Sequence, residues 1–241
     1  MQILAHRGSS GVAPENTLPA FAEAIRSGAT GIELDVHLSL DQQLVVIHDE
    51  SVERTTNGKG LVRGKTVAEL KKLDAGSWFN ARYKATRIPT LKEVCDLLVL
   101  RNYRGVLVIE LKTDNYAYPE IEEKLAAFMM SQVWPFTYWY CSFRYDSLQK
   151  MATLDPNAPL DWLIRSFRGN YERAANSPFL EGVHLKLSGA LKERQQVEQF
   201  PKAVRIWTVN NEREIHEAVN LPVAGVITNF PDRVHGMLDR V

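Results

Sequence analysis

Short apolar runs alternate with helix-patterned stretches along nearly the whole chain, and this alternation narrows the possible folds more than any other feature. The runs 3–5, 31–37, 106–111, 137–141, 160–164, 182–187, 204–209 and 224–228 have the length and apolar content of strands. Leu18, Phe21, Ala22 and Ile25 mark one face of a helix that Gly28 stops. Further helices are predicted over 91–100, 120–130, 145–154, 191–200, 212–219 and 233–238, and the weakest helical pattern follows Ile164. Strand and helix in regular alternation predict a parallel sheet. A ninth apolar run, 44–47, follows His37 too closely for a crossover helix of about a dozen residues, so it must return as a hairpin arm. The remaining parallel strands number eight, which closes a TIM-type (β/α)8 barrel. The competing doubly wound sheet lacks support, because no glycine-rich phosphate fingerprint follows the first strand.

One stretch breaks the alternation. Residues 51–89 are polar and rich in Gly, Thr, Arg and Lys, and they contain a capping box at Thr66 and Glu69. So long a connection reads as a small cap-like insertion after the second strand, inside a single domain spanning 1–241. A surface excursion without function is the plainer alternative.

Composition removes several classes. Hydrophobic residues make up 45% of the 241, enough for a sizeable core. The 29 basic and 29 acidic side chains cancel, so there is no global field for nucleic acid or an anionic membrane. Any phosphate binding must therefore come from local placement of charge. No apolar run nears the ~20 residues of a membrane span, and the start MQILAHRG does not read as a signal peptide. Cys95 and Cys141 lack metal or redox spacing, which predicts reduced thiols and a cytoplasmic protein.

Strand faces point to the chemistry, because residues two apart share a side. Glu33, Asp35 and His37 oppose Ile32, Leu34 and Val36. Glu110 and Lys112 oppose Leu107, Ile109 and Leu111, and His184 and Lys186 oppose Val183, Leu185 and Leu187. Apolar faces pack on helices, so the polar faces point into the barrel. Buried carboxylates cost several kcal/mol each unless paired or coordinated, and barrel enzymes place their active sites at the strand C-termini. A salt bridge explains any one of these pairs; the set predicts one site. Glu33, Asp35 and Glu110 offer hard oxygens suited to one divalent ion, Mg²⁺, Ca²⁺ or Mn²⁺, rather than zinc. With the ion they leave one negative charge. A phosphodiester adds another, and Arg7 and Lys112 offset both.

His6 follows the first strand and His48 the hairpin arm. Two imidazoles can divide the proton transfers of a phosphodiester cleavage; each could instead be a metal ligand or a packed core residue. His184 is predicted to line the pocket, Trp207 to contact substrate or to join the core, and Phe143 and Phe230 to form apolar walls. His37 lies further along its strand and is left out of the site, and His216 and His235 are predicted at the surface.

These residues together resemble the glycerophosphodiester phosphodiesterase family. The match is carried by His6-Arg7-Gly8, Pro14-Glu15-Asn16-Thr17, Glu33-Leu34-Asp35-Val36, Val46-Ile47-His48-Asp49, Arg54-Thr55-Thr56-Asn57-Gly58, Glu110-Leu111-Lys112, Trp207-Thr208-Val209-Asn210 and Thr228-Asn229-Phe230-Pro231-Asp232, in the family's order and over nearly the whole chain. The resemblance implies a divalent metal on Glu33, Asp35 and Glu110, an acid–base pair in His6 and His48, and Arg7 and Lys112 at the phosphate. It implies a pocket or supporting role for Glu15. The implied reaction converts a glycerophosphodiester, such as glycerophosphocholine or glycerophosphoethanolamine, to sn-glycerol 3-phosphate and an alcohol. Asn229 stands where the family commonly has Asp, a departure expected to touch the sheet end more than the chemistry.

The expected partner is therefore this small molecule, with no nucleic acid, no stable membrane association, and a monomer or homodimer as the assembly. Two rivals share the features. One is a phosphodiesterase for lysophospholipid or phosphoinositol substrates, which an apolar entrance would favour; the excursion is polar apart from Trp78-Phe79. The other is a phosphate-binding module without catalysis, which predicts the loss of an acid–base or metal residue.

Overall fold

The computed structural model describes residues 1–238. Among these residues nine strands form one sheet: β1 (Gln2–Ala5), β2 (Gly31–Leu38), β3 (Leu44–Val46), β4 (Val106–Leu111), β5 (Thr137–Ser142), β6 (Leu160–Ile164), β7 (Gly182–Lys186), β8 (Ala203–Trp207) and β9 (Gly225–Thr228). Their order is β1-β9-β8-β7-β6-β5-β4-β2-β3, and parallel pairing of β1 with β2 closes the ring. β3 alone runs antiparallel, with Val36 opposite Val46 and Leu38 opposite Leu44. Eight parallel strands therefore make a closed barrel, and β3 is the expected hairpin arm.

The helices are α1 (Leu18–Arg26), α2 (Val67–Leu70), α3 (Leu91–Leu100), α4 (Ile121–Met129), α5 (Tyr145–Leu154), α6 (Tyr171–Asn176), α7 (Leu187–Lys192), α8 (Arg194–Gln199), α9 (Glu212–Val219) and α10 (Pro231–Leu238). Among the described residues no helix is long and apolar enough to cross a membrane. The predicted helix 191–200 is instead two. It breaks at Glu193, whose carboxylate accepts from the backbone N–H of Phe167 at 2.6 Å and of Arg168 at 3.2 Å. Tethering that side chain to the loop after β6 draws the backbone out of helical geometry.

Outward strand residues such as Ile32, Leu34, Ile109 and Leu185 pack under the helices in the main core. Inward residues Leu4, Val108, Cys141, Leu163 and Ile227 fill the barrel in a smaller cluster. The excursion after β3 has a third core of Val45, Ile47, Val52, Val62, Leu70, Ala75 and Ile88. Its capping box forms as read: Thr66 Oγ1 accepts from the Glu69 N–H while the Glu69 carboxylate accepts from Thr66. Arg82 and Tyr83 both donate to the Val12 carbonyl, tying the excursion to the loop after β1.

Candidate active site

In-register pairing brings the acids together. Asp35 of β2 lies opposite Glu110 of β4, one strand apart, and Glu33 projects from the same face two residues earlier. One oxygen from each of Glu33, Asp35 and Glu110 lies within 4.8 Å of the others, and all three side chains are buried. Asp35 Oδ1 is buried with no hydrogen-bond partner. Burial, and then the charges of Asp35 and Glu110, push the Glu33 carboxyl well above its ordinary value. Burial also pushes Glu110 up to about 7, against the Lys112 ammonium. Asp35 goes the other way: burial is outweighed by the charges of Arg7, His48 and Lys112, which hold it well below the usual carboxylate range. Three clustered carboxyls, crowded enough to raise two of them, around an orphaned oxygen fit a hard divalent cation.

β1 ends in a turn that aims Arg7 over the barrel. Arg7 and Gly8 take positive φ values of 56° and 76°, and the Arg7 N–H donates to Glu33 Oε2 at 2.9 Å. A Cβ on Gly8 would lie 2.7 Å from the Ala20 backbone carbon. Gly8→Ala therefore combines left-handed strain with a clash on α1, and should lower stability by about 2–4 kcal/mol in urea unfolding. A loss under about 1 kcal/mol would show that the turn tolerates a side chain. Arg7 Nη1 donates to Glu15 Oε1 at 2.8 Å, and its Nε lies 3.4 Å from Asp35 Oδ2.

The two histidines have different supports. His48 Nδ1 donates to Asp49 Oδ1 at 2.7 Å. His6 Nδ1 donates to Asn229 Oδ1, also at 2.7 Å. Asn229, expected to bear on the sheet end more than on the chemistry, also orients an imidazole of the site through its amide oxygen. Burial first, then the Arg7 charge, lower His6 to about 4 despite that hydrogen bond, so the ring is neutral near pH 7. His37, left out of the predicted site, supports it: its Nε2 donates to the His48 carbonyl at 3.0 Å while Tyr118 Oη donates to its Nδ1 at 2.8 Å.

One cavity at the C-terminal end of the strands is lined by His6, Arg7, Glu33, His48, Glu110, Cys141, Phe143, Leu163, His184, Trp207 and Ile227. His184 belongs to its wall, with Nε2 2.9 Å from Asp161 Oδ2. Trp207 donates from Nε1 to the His184 carbonyl and meets Phe143 edge-on. Lys112 and Phe230 are not among the lining residues, and Glu15 takes the supporting place of its two expected ones. Lys112 lies behind the wall, donating to Glu110 Oε1 at 2.8 Å and approaching His48 Nε2 at 3.4 Å. Glu15 is behind Arg7, and Phe230 covers Gly11 instead of the cavity. His216 is exposed as expected, whereas His235 is half-buried and bonded to the Gly28 carbonyl.

Sequence reasoning missed a charged layer beneath the site. Asp161 Oδ2 also accepts from Arg205 Nη1 at 2.8 Å, and the Arg205 guanidinium lies over Trp139. The signal was present, because Asp161 and Arg205 each sit between apolar neighbours on a strand. Asp49 and Arg54, both within the family motifs, join the site through His48 and through each other.

The model of the glycerophosphoryl diester phosphodiesterase family matches residues 6–233. The chain belongs to this family. It is therefore a phosphodiesterase of the hydrolase type. A family member from Bacillus altitudinis, a glycerophosphodiester phosphodiesterase, is 39% identical over 96% of each chain. One from Caldanaerobacter subterraneus subsp. tengcongensis is 36% identical over 95% of this chain and 94% of its own. Among solved structures, an Oleispira antarctica phosphodiesterase in complex with the product sn-glycerol-3-phosphate superposes with a TM-score of 0.89 at 30% identity, covering 99% of this chain and 97% of that one. A glycerophosphodiester phosphodiesterase from Agrobacterium tumefaciens gives 0.79 at 26% identity over 98% and 99%.

Proposed function

We propose that the protein hydrolyses glycerophosphodiesters, such as glycerophosphocholine and glycerophosphoethanolamine, to sn-glycerol 3-phosphate and an alcohol. The observation that carries this reading is the meeting of two imidazoles, Arg7, Glu33 and Glu110 on one cavity, with Asp35 in the same carboxylate cluster. The product bound by the Oleispira relative supports the choice of glycerol 3-phosphate.

Glu33, Asp35 and Glu110 would hold one divalent ion, Mg²⁺, Ca²⁺ or Mn²⁺. When bound, it supplies Lewis-acid polarisation of the phosphoryl group. Arg7, fixed by Glu15, forks onto non-bridging oxygens and offsets the charge that develops there. Lys112 contributes its charge from behind Glu110. His6, neutral and oriented through Nδ1 by Asn229, takes on Nε2 the proton of the attacking water, or of the glycerol 2-hydroxyl, in which case water opens the resulting cyclic phosphate in a second step. His48, backed by Asp49, gives a proton to the departing oxygen. Trp207, Phe143 and His184 form the wall on which the rest of the substrate rests, and the excursion 51–89 caps the site within one domain. Two buried free cysteines fit a reducing, cytoplasmic setting.

The direct test is release of sn-glycerol 3-phosphate from both substrates, read with a coupled dehydrogenase. Release with Mg²⁺ that EDTA abolishes is expected. No product from either substrate with Mg²⁺, Mn²⁺ or Ca²⁺ would sink the reading; turnover confined to lysophospholipid would favour the rival activity. The His6 assignment has its own check at saturating Mg²⁺. Activity needs neutral His6, so it falls as pH drops through the His6 pKa. Asn229→Asp places a carboxylate on Nδ1 and should move that acidic limb up by about one to two pH units. An unmoved limb would remove His6 as the base.

A further inference from the structure

Arg54 leaves the excursion toward the cavity and stops short of it. Its guanidinium is forked onto two carboxylates. Nη1 and Nη2 donate to Glu15 Oε2 and Oε1 at 2.8 and 2.7 Å, while Nε and Nη2 donate to Asp49 Oδ2 and Oδ1 at 2.6 and 3.0 Å. Each carboxylate has a second task. Glu15 holds Arg7 at 2.8 Å, and Asp49 holds the His48 ring at 2.7 Å. Arg7 belongs to the loop after β1 and His48 to the loop after β3, so no strand pairing fixes one against the other.

We propose that Arg54 is a positioning residue that sets Arg7 and His48 relative to each other, making the excursion a working part of the active site. The inference rests on the hydrolase reading for its kinetic arm. The chemistry requires this residue type: only a planar guanidinium offers two forks, whereas an ammonium is a single point charge. A simple anchor for the excursion is the opposing account. The excursion already has its own apolar core and the Arg82 and Tyr83 bonds to Val12, and Arg54 is 44% exposed, where ion pairs add little stability. Its worth therefore lies in geometry, where a misplacement of about 1 Å costs about 100-fold in rate.

The test compares Arg54→Ala and Arg54→Lys in three backgrounds: wild type, Asp49→Asn and Glu15→Gln. Arg54→Ala should lower kcat/KM about 100-fold, with kcat falling and KM rising, and with the thermal midpoint nearly unmoved. Arg54→Lys, able to hold one carboxylate, should lose less. In Asp49→Asn the further kcat loss from Arg54→Ala should nearly vanish, and in Glu15→Gln the further KM rise should nearly vanish, because coupled residues are not additive. Equal losses in all three backgrounds overturn the proposal, as does a lowered melting point with kcat and KM unchanged. If Arg54→Ala does not fold, Arg54→Lys carries the same cycle. A crystal structure of the variant separates this inference from the hydrolase reading. Arg7 and His48 should be displaced in it; their unchanged placement overturns the positioning role even if glycerophosphodiesters are not substrates.

Discussion

Glu33→Gln should abolish turnover and yet stabilise the metal-free protein at pH 8. Glu33 is buried beside Asp35 and Glu110, and its carboxyl is held well above the ordinary value by burial and by those two charges. A group whose folded-state pKa is raised stabilises the fold below its unfolded value and loses that contribution as pH rises through the folded one. The metal-free wild type should therefore weaken from about pH 4.5 upward. The substituted amide carries no charge, and its oxygen can still accept the Arg7 N–H that Glu33 Oε2 now takes at 2.9 Å. The expected gain at pH 8 is about 0.5–2 kcal/mol, closing toward zero near pH 4. Mg²⁺ tests the other half. At about 100-fold over Kd, binding to the folded state alone adds about 2.7 kcal/mol; wild type should gain it and Glu33→Gln should not. Because Glu110 is raised to about 7, Mg²⁺ affinity should also fall as pH drops below that value. Glu110→Gln provides the contrast. Lys112 Nζ donates to Glu110 Oε1 at 2.8 Å and offsets part of the cost of burying that charge, so Glu110→Gln should gain less at pH 8 than Glu33→Gln. Equal melting shifts for the two variants across pH would show that neither carboxyl carries the proposed burden.

The contrast between Glu33 and Glu110 was half legible in the sequence. Strand periodicity set both on the inner face with Asp35, because a two-residue period leaves no freedom about which side a residue takes. The closed barrel and the hairpin arm followed from run lengths and one short connection. What periodicity does not reach are contacts made by loops. Arg54 pairs with Glu15 across 39 positions, and Asn229 meets His6 across 223; no local pattern sets the direction of either side chain. Lys112 shows the limit from the other side. Its face was right, but a long flexible stem let it turn back to Glu110 instead of entering the cavity. The break at Glu193 has the same origin, a side chain captured by backbone 26 positions away.

His48→Ala and His6→Ala should both remove most turnover of glycerophosphocholine, by about 10²–10⁴-fold, and should part company on a substrate with a better leaving group. In the proposed division His48 protonates the departing oxygen. An alkoxide such as choline's is strongly basic and needs that proton, whereas p-nitrophenolate leaves without it. The glycerophosphodiester of p-nitrophenol should therefore restore much of the rate to His48→Ala and little to His6→Ala, whose task is removing the proton from the attacking hydroxyl. The supports of the rings favour this direction. Asp49 sets a carboxylate against His48 Nδ1, whereas Asn229 is neutral and leaves His6 Nε2 a bare acceptor, with the ring lowered to about 4. Folding should survive both changes. His48→Ala leaves Asp49 bound to Arg54, and His6→Ala leaves one amide oxygen unpaired, at a cost of about 1–3 kcal/mol. Rescue of His6→Ala instead would exchange the two roles. Equal deficits on both substrates would mean that neither ring protonates the leaving group, and near-normal rates in both variants would end the acid–base assignment.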